Sequence, residues 1–200
     1  MTTNAWPTLT KTAPGALDWS LVSNTTVFES PLSGAVQTVE MPGARWKASF
    51  SMDNLQAADA ALLRALLAKT RGRAGRITLH NFAHPTPRGT IAGTPLVMGA
   101  SQTGNTLIID GCTVGTTLLA GDFIGVNSEL KMVVADATAN GSGQMTLTIE
   151  PPLRSSPADN AAITTTRPTA TFMLADNESV WSARPGILTS FPINLIEAWE

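Results

Sequence analysis

Any chemistry in this chain would have to come from a short inventory of two histidines, one cysteine and scattered carboxylates. His80 and His84 stand in "HNFAH", a spacing that can hold a metal when both side chains share a helix face. Here the first falls on an expected strand and Pro85 follows the second, so the shared face is lost, and no glutamate completes an "HExxH". Cys112, in "IIDGCTVG", reads as a small, partly buried side chain, because a thiolate nucleophile would need one of those histidines beside it in space. Asp110, Asp122, Glu129, Asp136 and Glu150 are the carboxylates from which an acid–base pair could be drawn, and each has an ordinary turn or strand-surface reading. No "GxSxG" elbow, "GxxxxGK[ST]" loop or "GxGxxG" turn occurs. The glycines of "ANGSGQ" precede a strand and offer no helix N-terminus to a phosphate. The expectation is a protein with no catalytic residue, no cofactor and no metal.

Composition points elsewhere. Charged residues make up 14% of the chain, well below the roughly 25% of ordinary soluble domains. Lasting subunit interfaces are depleted in charge in this way, and so is a threonine-rich β surface; composition alone leaves both open. A net charge of -2 argues against gripping a phosphate backbone. A single cysteine cannot form an internal disulfide, and "MTTNAWPTLTKTAPG" lacks the basic start and apolar run of a secretory signal, so folding in a reducing cytoplasm is expected. No apolar run approaches the length of a membrane span, so a soluble protein with no membrane partner is expected.

The elements that would carry a function are mostly strands. "TTVFES", "AVQTVEM" and "RWKASFSM" alternate in type and are separated by "PLSG" and "PGA", which predicts antiparallel strands with one polar and one apolar side. A helix follows in "DNLQAADAALLRALLAKTRG", with Asp53 as N-cap, Gln56 completing a capping box and Gly72 closing the C-terminus. Leu55, Leu62, Leu63, Leu66 and Leu67 form its apolar stripe. Ala57, Ala60, Ala61 and Ala68, with Arg64, form a weakly solvated back that is expected to meet a neighbouring subunit. "GRITLHNF" adds a strand, and "TLIIDG", "DFIGV", "LKMVVAD", "QMTLTIE" and "AAITTT" then come at near-regular spacing, as in a small barrel or sandwich. In the closing segment Phe191, Ile193 and Leu195 alternate with polar positions. The expected organisation is a discontinuous domain, residues 1–94 plus 172–200, interrupted by a β-rich insertion at residues 95–171.

This order of elements resembles the distal tail proteins of long-tailed, non-contractile bacteriophages, through "GARWKASF", "NLQAADAALLRALLAKTRGRAG", "RITLHNF" and the ending "FMLADNESVWSARPGILTSFPINLIEAWE". The segment "LAGDFIGVNSELKMVVADATANGSGQMTLTIEPPLR" is similar to modules carried by tail-tip proteins of phages and prophages of Gram-negative bacteria. The resemblance implies a mainly β fold, a tail-tube-like β-sandwich flanked by one helix with a small all-β insertion. It implies a virion protein, assembled in the host cytoplasm, that forms a six-membered ring between the tail tube protein and the hub or tip protein. DNA would pass through the lumen without specific binding, and the insert would project outward as a place for tail fibres or a carbohydrate-binding module. The chain has no tyrosine, and Phe123 and Phe172 would be the aromatic residues left to a sugar groove in the insert, which argues against the sugar-binding version. The alternatives are another tail component, a tube or terminator subunit, or a non-viral carbohydrate-binding β-protein.

Overall fold

The computed structural model describes residues 2–184 and 188–199. Among them the chain is mainly β, with several sheets and one α-helix. It opens with β1 (Thr3–Ala5) and β2 (Ala16–Val22), then the hairpin of β3 (Thr25–Glu29) and β4 (Val36–Glu40), then the long β5 (Arg45–Leu55). Helix α1 (Ala57–Thr70) and a 3-10 turn at Gly72–Ala74 lead into β6 (Arg76–His80). Next come β7 (Gly93–Val97), β8 (Gly104–Cys112), β9 (Thr117–Leu118), β10 (Phe123–Val126), β11 (Glu129–Val133), β12 (Ala137–Thr138) and β13 (Met145–Leu153). Strands β14 (Thr169–Leu174), β15 (Ser182–Arg184) and β16 (Leu188–Glu197) follow; the closing segment read from the sequence also crosses residues 185–187, which lie outside the described residues.

Strands from both ends of the chain share one sheet, ordered β1-β6-β14-β16-β5-β2, with β15 added to β16. Alternation gives this sheet one dry face. Ala48, Phe50 and Met52 lie in register with Leu195, Ile193 and Phe191 on one side, and Trp46, Ala48 and Phe50 with Leu21, Trp19 and Leu17 on the other. The opposite face is polar, with Ser49 Oγ donating to Asn194 Oδ1 at 2.6 Å.

Leu63, Leu66 and Leu67 of α1 pack into the core of the dry face, as their spacing predicts, but the expected placement of Ala60, of Leu62 in the apolar stripe and of the N-terminus needs correction. Ala60 is completely buried in the same core, so it faces its own chain and is closed to a neighbouring subunit; its small side chain allows close packing there. Leu62 is 48% exposed on the other side. The N-terminus also shifts. Strand β5 runs on through Leu55, Asp53 accepts from Ser51 Oγ at 2.5 Å, and Gln56 stands at the N-cap with no side-chain cap bond. At the C-terminus Arg71 turns left-handed (φ 51°) and Gly72 follows at φ 65°, where a Cβ would lie 3.0 Å from the Asn177 backbone.

The residues between β6 and β14 build a second sheet, β10-β11-β13-β8-β7, around a core in which Leu107, Ile109, Leu147 and Ile149 are completely buried. The β10–β11 hairpin joins the two cores. Phe123, Leu130 and Met132 pack with the first, whereas Ile124, Val126 and Val133 pack with the second. "AAITTT", expected as a strand, makes only isolated bridges, Leu96 with Ala162 and Gly125 with Thr164. Strand β14 starts at Thr169 within the large sheet, which therefore takes residues 169–171 from the stretch read as insertion.

Candidate assembly surfaces

The hairpin β3–β4 pairs with no other described strand. Its register puts Val27 and Val36 on one face and Phe28 and Val39 on the other. Neither face is covered: Val27 and Phe28 are each 57% exposed, Val36 60% and Val39 41%, while Leu32 at the tip is 98% exposed. The one-sided ribbon expected from the sequence is thus a two-sided ribbon, with apolar side chains among polar ones on both faces and both faces open. Its loop is well formed, with Ser30 N–H donating to the Ala35 carbonyl and Gly34 N–H to the Ser30 carbonyl, both at 2.9 Å. A two-stranded ribbon with nothing packed against it is marginal in water, and clustered exposed apolar side chains mark contact surfaces.

Other open surfaces are weaker. Ala57, Ala61, Arg64 and Ala68, named from the sequence as interface residues, are exposed on α1 beside Leu62, and Arg64 Nε donates to the Ala60 carbonyl at 3.3 Å. Strands β1 and β2 are the two edges of the large sheet and leave backbone groups unpaired. Near the foot of the hairpin Trp199 is 46% exposed, with the Arg154 guanidinium 5.5 Å from its ring centroid.

Beneath that tryptophan a buried ionic chain ties the insert to the large sheet. Lys131 is completely buried; its Nζ donates to the Pro152 carbonyl at 2.7 Å and pairs with Glu129 at 2.5 Å. Glu129 also accepts from the Arg154 backbone N–H at 3.2 Å. The Arg154 guanidinium pairs with Glu197, which accepts from the Trp46 backbone N–H at 3.0 Å, and Trp46 Nε1 donates to the Leu130 carbonyl at 2.8 Å. Burial lowers the Lys131 pKa, and the hydrogen bond and charge of Glu129 oppose that shift. No short motif announces this chain in the sequence, since its members stand far apart; a lysine and a glutamate on a strand that is otherwise apolar are the one local signal.

The residues that could do chemistry have structural partners. His80 packs edge-on against Phe82 at 5.0 Å, and His84 stacks on Phe123 at 5.9 Å. Cys112 is buried, with its thiol pKa raised by burial and by the charge of Asp110. Asp122 accepts from the backbone N–H groups of Arg88, Gly89 and Leu119 at 2.6, 3.0 and 2.8 Å. Asp136 holds Ala120 N–H at 2.8 Å, and Glu150 holds Asn105 Nδ2 at 2.5 Å. Asp59, unremarkable in the sequence, pins the N-terminal segment to α1 by accepting from the N–H groups of Thr10 and Lys11 at 3.1 and 3.3 Å. Among the described residues no group of three His, Cys, Asp or Glu side chains gathers as a metal site, and no helix is long and apolar enough to cross a membrane. No protein-family model matches the chain, and no curated protein matches it.

Proposed function

We propose that this chain is a structural subunit of a bacteriophage tail that closes into a homomeric ring, a hexamer, at the distal end of the tail tube. In this reading it joins the tube protein to the hub or tip protein, leaves a channel for DNA, and catalyses nothing. The observation that carries the reading is the hairpin β3–β4, which pairs with no other described strand and whose apolar side chains on both faces are largely exposed. A closed ring supplies that cover by giving each subunit two unlike faces, one for each neighbour. The mainly β fold with one helix agrees with the resemblance, and the low charge agrees with a chain much of whose surface is shared.

The test is negative-stain microscopy and light scattering of the purified protein, alone and with its tube and hub neighbours. Closed six-membered rings are expected, and Phe28→Asp with Val39→Asp should abolish them while leaving the circular dichroism of the subunit unchanged. Open tubes would reassign the chain to a tube subunit. A monodisperse monomer at high concentration, in the presence of the tail partners, would overturn the assembly reading.

A further inference from the structure

An open pocket of about 340 Å³ lies where the segment after β1 crosses the ends of β6 and β14. Its apolar wall is made by Trp6 and Phe82, which are locked edge to face at 5.7 Å and are each held in the same way on Phe50, at 5.5 Å. The lining also carries His80, Thr78, Thr169 and Arg167. Among the described residues the guanidinium of the exposed Arg167 has neither a hydrogen bond nor an ion pair, and the His80 ring packs edge-on against Phe82. The hydroxyls of Thr78 and Thr169 are likewise without a hydrogen-bond partner there.

Arg167 is also held in a left-handed conformation, φ 47°, which a side chain of this size rarely adopts, and its N–H donates to the Pro85 carbonyl at 2.6 Å. Strain of this sort persists only where the surroundings impose it, and such residues cluster at ligand sites. The cavity thus combines a fixed aromatic wall, one permanent positive charge, a histidine that can acquire a second, and free hydroxyl donors. No carboxylate lines it.

We propose that this cavity binds an organic carboxylate carried on a flat, apolar body. The carboxylate meets Arg167 and His80, with Thr78 and Thr169 as further donors, while the body lies against Trp6 and Phe82. A planar guanidinium suits a carboxylate because two parallel N–H groups can reach both oxygens. The volume is at the small end of ligand pockets, which limits the body to about one or two rings. His80 supplies the reporter. Its pKa is lowered, first by burial and then by the positive charge of Arg167, and a bound anion reverses the second effect.

The experiment is titration of the assembled protein with benzoate, followed by NMR of the His80 ring and by calorimetry. Benzamide serves as the uncharged match and acetate as the anion without a body. Benzoate is expected to saturate with a Kd of about 1 mM or tighter and to raise the His80 pKa. Benzamide and acetate should each bind at least about tenfold more weakly, and Arg167→Gln should cost benzoate about tenfold. Arg167→Gly relieves the backbone strain and should lose binding equally, which separates loss of charge from loss of fold. Absence of a saturable His80 response, equal binding of benzamide, or unchanged binding in both Arg167 variants would overturn the proposal. The outcome is independent of ring formation, because a monomer with the cavity intact gives the same titration.

Discussion

The hairpins β3–β4 and β10–β11 have the same kind of sequence and opposite surroundings. Both carry apolar side chains on both faces. In β10–β11 each face has a core of its own: Phe123 and Leu130 enter the core of the large sheet, and Ile124 and Val133 that of the insert. In β3–β4 the equivalent side chains, Val27 and Val36 against Phe28 and Val39, enter neither core and stay 41–60% exposed. The turns differ too. The β10–β11 turn is closed by Asn127 and Ser128, both left-handed at φ 49° and 62°, as a two-residue hairpin turn demands, whereas β3–β4 uses a longer loop that includes Gly34 at φ 66°. A pattern of apolar residues therefore states which faces need cover, and only the tertiary structure states whether the same chain provides it.

The sharpest way to break the comparison is to attack the buried hairpin at its ion pair, Lys131 with Glu129. Lys131→Met leaves the Glu129 carboxylate buried without its ammonium and should cost about 3–5 kcal/mol in urea unfolding. Adding Glu129→Gln should recover most of that loss, because the uncompensated charge is then gone. A single-variant loss below about 1 kcal/mol would mean that solvent reaches the seam and that Lys131 is less enclosed than its zero exposure implies. Next in size is Phe123→Ala, which opens a cavity between Trp46 and His84, the rings it touches at 5.4 and 5.9 Å. Its expected cost is about 3 kcal/mol, measured by the same unfolding curves.

What could be read from the sequence divides along the same line. The strand alternations of β5 and β16 and the leucines 63, 66 and 67 of α1 are local, period-2 and period-3.6 signals, and the structure uses them as read. Asp53 and Gln56 form a convincing capping sequence that points to an earlier start for α1, yet β5 keeps pairing with β16 as far as Leu55 and so holds Asp53 in the sheet. Alanine carries no preference for either face, so the sequence does not mark Ala60 as inward; its burial follows from where the helix sits over the core. The seam of Glu129, Lys131, Arg154 and Glu197 was invisible for a different reason, since its members come from β11, from beyond β13 and from β16, and only folding brings them together. The same holds for the cavity wall of Trp6, His80 and Arg167.

The smallest change in subunit stability is expected in the exposed hairpin, and it separates the two accounts of that surface. Phe28→Ala removes the same ring as Phe123→Ala but from a site that is 57% exposed, so the isolated subunit should unfold within about 0.5 kcal/mol of the parent. If a neighbouring copy covers Phe28, the parent protein's Tm must rise with protein concentration, because anything that binds only the folded state stabilises it by mass action. Phe28→Ala should then flatten that dependence while leaving the dilute limit unchanged. Differential scanning calorimetry over a hundredfold concentration range reads both quantities in one series. A parent Tm independent of concentration, together with an unfolding cost for Phe28→Ala near that of Phe123→Ala, would place the cover of β3–β4 inside the chain and erase the contrast between the two hairpins.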